Sequence, residues 1–142
     1  MSAELHMAVT KTYHAQKNKI RPGMVGIGLS PGQPKILTYL TKNNHCMQKE
    51  IATALDIEPA TVSQLLNNMA QAGLIQRSAL AERKRAESVS ITEKGREAYV
   101  KWRLLCREIE EISLKGFTGE EQEQFLDYLS RMYQNLTEKV LE

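Results

Sequence analysis

Between residues 60 and 71 the chain gathers Thr61, Ser63, Gln64, Asn67 and Asn68, a run of hydroxyl and amide side chains. A carboxamide sets a donor beside an acceptor, which matches the N7 and N6 edge of adenine in a major groove. Further along, Arg83-Lys84-Arg85 concentrates three cations, with Arg77 ahead of them. Guanidinium and ammonium groups suit phosphate oxygens, or a narrow minor groove where the potential is most negative. These nine residues form a candidate site for double-stranded DNA, the amides facing base edges and the cations the backbone.

The elements that must position them can be read from caps and periodicity. Residues 3–20 hold Leu5, Met7, Val9 and Ile20 among polar residues and predict a helix, ended by Arg21-Pro22-Gly23. Gly23, Gly26 and Gly28 punctuate a connector that lacks the Gly-Lys-Ser/Thr ending of a phosphate loop. Ser30-Pro31-Gly32-Gln33 has the pattern of a capping box for a helix over 31–41 that buries Ile36, Leu37 and Leu40. A short helix over 47–55, a turn at Asp56-Ile57-Glu58 and a helix opened by Pro59 and closed by Gly73 follow. On this last helix Val62, Leu65, Leu66 and Met69 fall on one arc, and the amide residues fall opposite. Strand-like runs 74–78 and 87–91 flank the polar loop 79–86, a hairpin with a basic tip. Thr92 caps a helix over 93–115 with the stripe Trp102, Leu105, Cys106, Ile109 and Ile112. Thr118-Gly119-Glu120-Glu121 is a second capping box, opening a last helix that carries Phe125, Leu129, Met132, Leu136 and Val140.

The fold class is therefore mainly α with a small β-hairpin wing: a winged helix-turn-helix flanked by N- and C-terminal helices. With 42% hydrophobic residues, the 142-residue chain predicts a single domain, 1–142. Its charge is uneven. Residues 74–107 carry nine Lys/Arg against four Asp/Glu, whereas 108–142 carry three against nine. A basic middle and an acidic end suit an anionic partner met by one face only. No stretch has the pattern of a secretion signal or a membrane span, and two cysteines fit a reducing compartment, so a cytoplasmic protein without membrane attachment is expected. An enzyme is not expected, since no nucleophile elbow, zinc-protease helix or dinucleotide fingerprint is present. No cofactor is expected either. His45-Cys46, His6 and His14 lack metal-ligand spacing, so no metal site is predicted.

The ordered motifs resemble the MarR family of winged-helix transcriptional regulators over about residues 29–99. The resemblance is carried by Leu29-Ser30-Pro31-Gly32-Gln33, Gln48-Lys49-Glu50-Ile51-Ala52 and Ala60-Thr61-Val62-Ser63-Gln64-Leu65-Leu66. It continues through Gly73-Leu74-Ile75-Gln76-Arg77, the wing Arg83-Lys84-Arg85 and the exit Ile91-Thr92-Glu93-Lys94-Gly95. Two positions depart from the family pattern. Arg83 stands where the wing usually has Asp, with Glu82 one residue earlier, and Gln64 stands where a basic residue is common. Amides in that place predict A·T-rich contacts.

The resemblance implies a homodimer on a palindromic operator, with DNA-binding part 29–95 and dimerisation helices within 1–28 and 96–142. The apolar stripes on the terminal helices point the same way, being more apolar surface than one small winged-helix domain readily covers. Packing of those stripes within one domain is the alternative. The family also implies repression and release by a small aromatic or lipophilic effector, for which Tyr13, His14, Tyr39 and Trp102 are candidate lining residues. Two other functional readings stand beside this one: a winged-helix module that binds protein, and a redox-responsive regulator using Cys46, whose place before a helix N-terminus could lower its pKa.

Overall fold

The computed structural model describes residues 4–79 and 87–141. In order these form α1 (Leu5–Ile27), α2 (Gln33–Lys42), β1 (Cys46–Met47), α3 (Gln48–Ala54), α4 (Pro59–Gln71), β2 (Ile75–Ala79), β3 (Glu87–Ile91), α5 (Glu93–Ser113) and α6 (Gly119–Thr137). Two compact units result, Met1–Arg107 and Glu108–Glu142.

The first unit is the winged helix-turn-helix with α1 and most of α5. Its core is a cluster in which Ile36, Leu37 and Leu40 of α2, Ile51 of α3, and Val62, Leu66 and Met69 of α4 are fully enclosed. The sheet order is β1-β3-β2, antiparallel throughout, with Cys46 opposite Val89 and Ile75 opposite Ile91. Val89 and Ile91 face the core from β3, so the base of the hairpin is anchored by burial.

Three local readings of the sequence need correction. The first helix does not stop at Pro22 but runs to Ile27. Proline removes one helical hydrogen bond and costs about 3 kcal/mol in a helix interior. Against that, Met24 is buried, Ile27 packs on the core, and the helix closes in a Schellman cap. In the cap, the Gly28 N–H donates to Val25 O and the Leu29 N–H to Met24 O, with Gly28 at φ 92°. Burial of each large apolar side chain contributes roughly 1.5–3 kcal/mol, so two or three anchors outweigh the proline.

The second correction concerns Ser30-Pro31-Gly32-Gln33. The Gln33 side chain accepts from the Ser30 N–H at 3.0 Å, which is one arm of a capping box. The segment itself is a turn, with Gly32 at φ 88° and the Gln33 N–H donating to Ser30 O, so α2 begins only at Gln33. Pro then Gly at the two central positions is the pairing a type II turn requires. Third, β1 is a two-residue strand that the sequence pattern did not reveal.

The hairpin exit is tied to the end of α4 by Thr92. Its hydroxyl donates to Gly73 O at 2.5 Å and accepts from the Gly95 N–H at 3.0 Å, capping α5. Gly95 lies so close to the Leu74 carbonyl that a Cβ there would overlap its oxygen and sit 2.8 Å from Ile91 Cγ1. Gly95→Ala is therefore expected to destabilise the chain by about 1–3 kcal/mol, read as a lowered urea midpoint at unchanged slope. An unchanged midpoint would show that α5 can move off Leu74 at no cost.

In the second unit, Thr118 caps α6 as the sequence predicts. Its hydroxyl accepts from the Glu121 N–H at 3.1 Å and the Glu121 carboxylate accepts from the Thr118 N–H at 2.9 Å. The helix ends at Thr137, with Glu138 left-handed, so Val140 lies beyond it. Phe117 and Phe125 meet edge to face at 6.1 Å. No residue of α6 is buried.

Candidate nucleic-acid interface

The site is built on α4, whose two faces have opposite jobs. Val62, Leu66 and Met69 are at 0% exposure and fix the helix against the core. Thr61, Gln64, Asn67, Asn68 and Gln71 are exposed, and Ser63 is half-buried. Gln64, Asn67 and Gln71 recur at three- and four-residue steps, so they stand in a row along one side. The helix is held at both ends. Pro59 sits in its first turn, and Gly73, left-handed at φ 77°, closes it with the Leu74 N–H donating to Met69 O. Before it, Asp56 adopts φ 55°, and the Ile57 N–H donates to Ala52 O at 3.1 Å, which makes the turn between α3 and α4 tight.

Arg77 of β2 turns toward this row. Its Nη1 donates to Asn67 Oδ1 at 2.6 Å, a cross-link between strand and helix that no sequence spacing announces. Arg83, Lys84 and Arg85 lie outside the described residues. Gln71, absent from the sequence-derived site, shares the exposed row and was legible from its helical spacing alone.

The other candidate residues are placed as follows. Tyr13 and His14 are exposed neighbours on α1, ring centroids 6.0 Å apart, and Lys17 Nζ lies 5.2 Å from the Tyr13 ring. Tyr39 and Trp102 are half-buried against the core. A cavity of about 370 Å³ opens instead between Gly28, Leu74 and the first turns of α5, where Lys94 donates to Ala72 O. None of the four aromatic and histidine candidates lines it. Among the described residues, no three of His, Cys, Asp and Glu gather as a metal site, and no helix is long and apolar enough to cross a membrane.

Cys46 corrects the redox reading. It is 5% exposed in β1, and its pKa is raised to about 11 by burial, with the Glu50 carboxylate adding to the rise. Desolvation of the thiolate outweighs any pull from the N-terminus of the short α3. At neutral pH the native thiol is expected to resist alkylation until the chain unfolds, checked by mass spectrometry with and without denaturant. From pH 9 toward 11 the unfolded thiol loses its proton first, so native stability falls as pH rises. Cys46→Ala should flatten that part of the stability profile relative to the parent, and an identical slope would count against the burial effect.

Comparison with known proteins bears on the same segment. A family model described as MarR family matches residues 27–86. The HTH-type transcriptional repressor YetL of Bacillus subtilis (strain 168) is 26% identical over 140 residues, covering 96% of this chain and 83% of YetL. The crystal structure of the transcriptional regulator SlyA superposes with a TM-score of 0.88 at 23% identity, covering 96% of each chain. The S. aureus MepR–DNA complex gives 0.85 at 25% identity, covering 94% of this chain and 99% of that one.

Proposed function

Because the chain belongs to the MarR family of winged helix-turn-helix transcriptional regulators, and is a regulator rather than an enzyme, we propose that it acts as a homodimeric repressor of a palindromic DNA operator. The carrying observation is the exposed row of α4. A helix-turn-helix whose second helix exposes Thr61, Gln64, Asn67, Asn68 and Gln71, with no large apolar side chain among its exposed residues, has a face fitted to base edges and not to a protein core. MepR, similar along nearly its whole length, is crystallised with DNA, and YetL is a repressor. Both support the reading.

The dimer is supported by α6, where Phe125, Leu129 and Leu136 remain 46%, 41% and 74% exposed. A second copy would cover that face and set two recognition helices about 34 Å apart on one side of a duplex. Residues 29–95 then form the reading part, with 1–28 and 96–142 forming the interface. Release by a small aromatic or lipophilic ligand completes the proposal. Operator occupancy places the protein in the cytoplasm with the DNA.

A gel shift on the DNA upstream of its own coding region, repeated at rising salt, tests the core of the reading. Six to ten phosphate contacts lower affinity by about 10³–10⁵ between roughly 50 and 200 mM salt. Binding that is absent, or indifferent to salt, overturns it.

A further inference from the structure

We propose that Arg77 is a positioning residue that fixes the carboxamide of Asn67 and thereby sets the base preference at one position of each half-site. The inference rests on the DNA-binding reading above and concerns which group carries its specificity.

Arginine has only donors, so the atom it meets at 2.6 Å must be the amide oxygen of Asn67. That removes the usual freedom of an exposed asparagine to turn its amide over. Oδ1 and Nδ2 branch to opposite sides of Cγ, so with Oδ1 held toward Arg77 the Nδ2 donor is turned away from it, and one lone pair of Oδ1 remains. A fixed amide of this kind donates to a purine N7 and can accept from adenine N6 in a single orientation. Arg77 itself is poorly placed to clamp a phosphate. Its Nε and Nη2 are buried, its Nη1 is committed to Asn67, and its strand position opposite Val89 holds it at the base of the wing. The charge next to Oδ1 also polarises the amide and strengthens the outward N–H donor.

A phosphate contact and a positioning contact leave different marks. Loss of a phosphate contact weakens all sequences alike and lowers the salt slope by about one per site. Loss of a positioning contact relaxes one base preference and acts only through Asn67.

The test uses the full chain. A site is first selected from a random duplex library with the parent protein, and each purine is then replaced by its 7-deaza analogue. One position per half-site should lose about fivefold or more in affinity, as expected for one hydrogen bond. Asn67→Ala should abolish sensitivity there, and Arg77→Met should reduce it with the salt slope kept. In the double variant, Arg77→Met should add nothing to Asn67→Ala. Melting temperatures establish that each variant folds. Should Arg77→Met not fold, Asn67→Asp still decides, because it keeps an acceptor for Arg77 but has no Nδ2 donor and must behave as Asn67→Ala. Retained sensitivity in Asn67→Asp, a uniform loss in Arg77→Met, or additive effects in the double variant overturns the inference alone. No salt-sensitive binding by the parent overturns the DNA reading with it.

Discussion

A chain carrying Phe125→Glu and Leu129→Glu is expected to run as a monomer and to lose about a hundredfold or more in operator affinity. Both side chains lie on α6, four residues apart on one face, and neither is part of a buried core: they are 46% and 41% exposed, and Phe125 meets only Phe117 among the rings of the described residues. The substitutions should therefore leave the fold of one chain intact, which far-UV circular dichroism would show. In a dimer interface the same positions lose their water, and an unpaired buried carboxylate costs several kcal/mol. A dimer joined through this face would bury four such groups, two from each chain. The DNA penalty follows from linkage: two reading heads joined together bind with an avidity about 10²–10⁴ above one. The salt slope should fall to about half, since one protomer neutralises half the phosphates. Sedimentation and titration would settle both, and a dimer of full affinity in the double variant would remove α6 from the interface.

What the sequence disclosed was set by how locally each feature is determined. Helix α4 was legible because three signals coincide: Pro59 at its start, Gly73 at its end, and burial of Val62, Leu66 and Met69 at helical spacing. The α6 capping box was legible because Thr118 and Glu121 need only each other. The length of α1 was not, because the balance at Pro22 is struck by packing partners such as Leu105, whose side chain meets Gly23 from far along the chain. Cys46 misled for the same reason. Its neighbours in sequence suggest an activated thiol, whereas its partner across the sheet, Val89, and the core around it keep it protonated. The amide row of the candidate site was visible as a pattern, but the Arg77–Asn67 bond was not, since it joins a strand to a helix around a turn whose geometry only the fold supplies.

Replacing Arg83, Lys84 and Arg85 together by Ala is expected to weaken binding to every sequence by on the order of a hundredfold at physiological salt. The residues lie outside the described segments, so the expectation rests on their charge and on their place in the sequence between the paired strands β2 and β3. Each lost phosphate contact lowers the salt slope by about one, and two wings remove up to about six. The half-site preferred by the parent should remain the preferred one, because the amide row of α4 is untouched. Gln64→Ala should do the reverse, relaxing base preference while leaving the slope in place. A sharper distinction comes from Arg83→Lys with Arg85→Lys. Ammonium groups still neutralise phosphates, so a wing lying along the backbone should keep its slope and nearly all of its affinity. A wing whose arginines enter a narrow A·T minor groove should keep the slope yet lose preference for A-tracts beside the half-site, because the flat and weakly hydrated guanidinium suits that groove and a strongly hydrated ammonium does not. Competition between duplexes differing only in those flanks separates the two, and unchanged affinity in the triple alanine variant would exclude the wing from both roles.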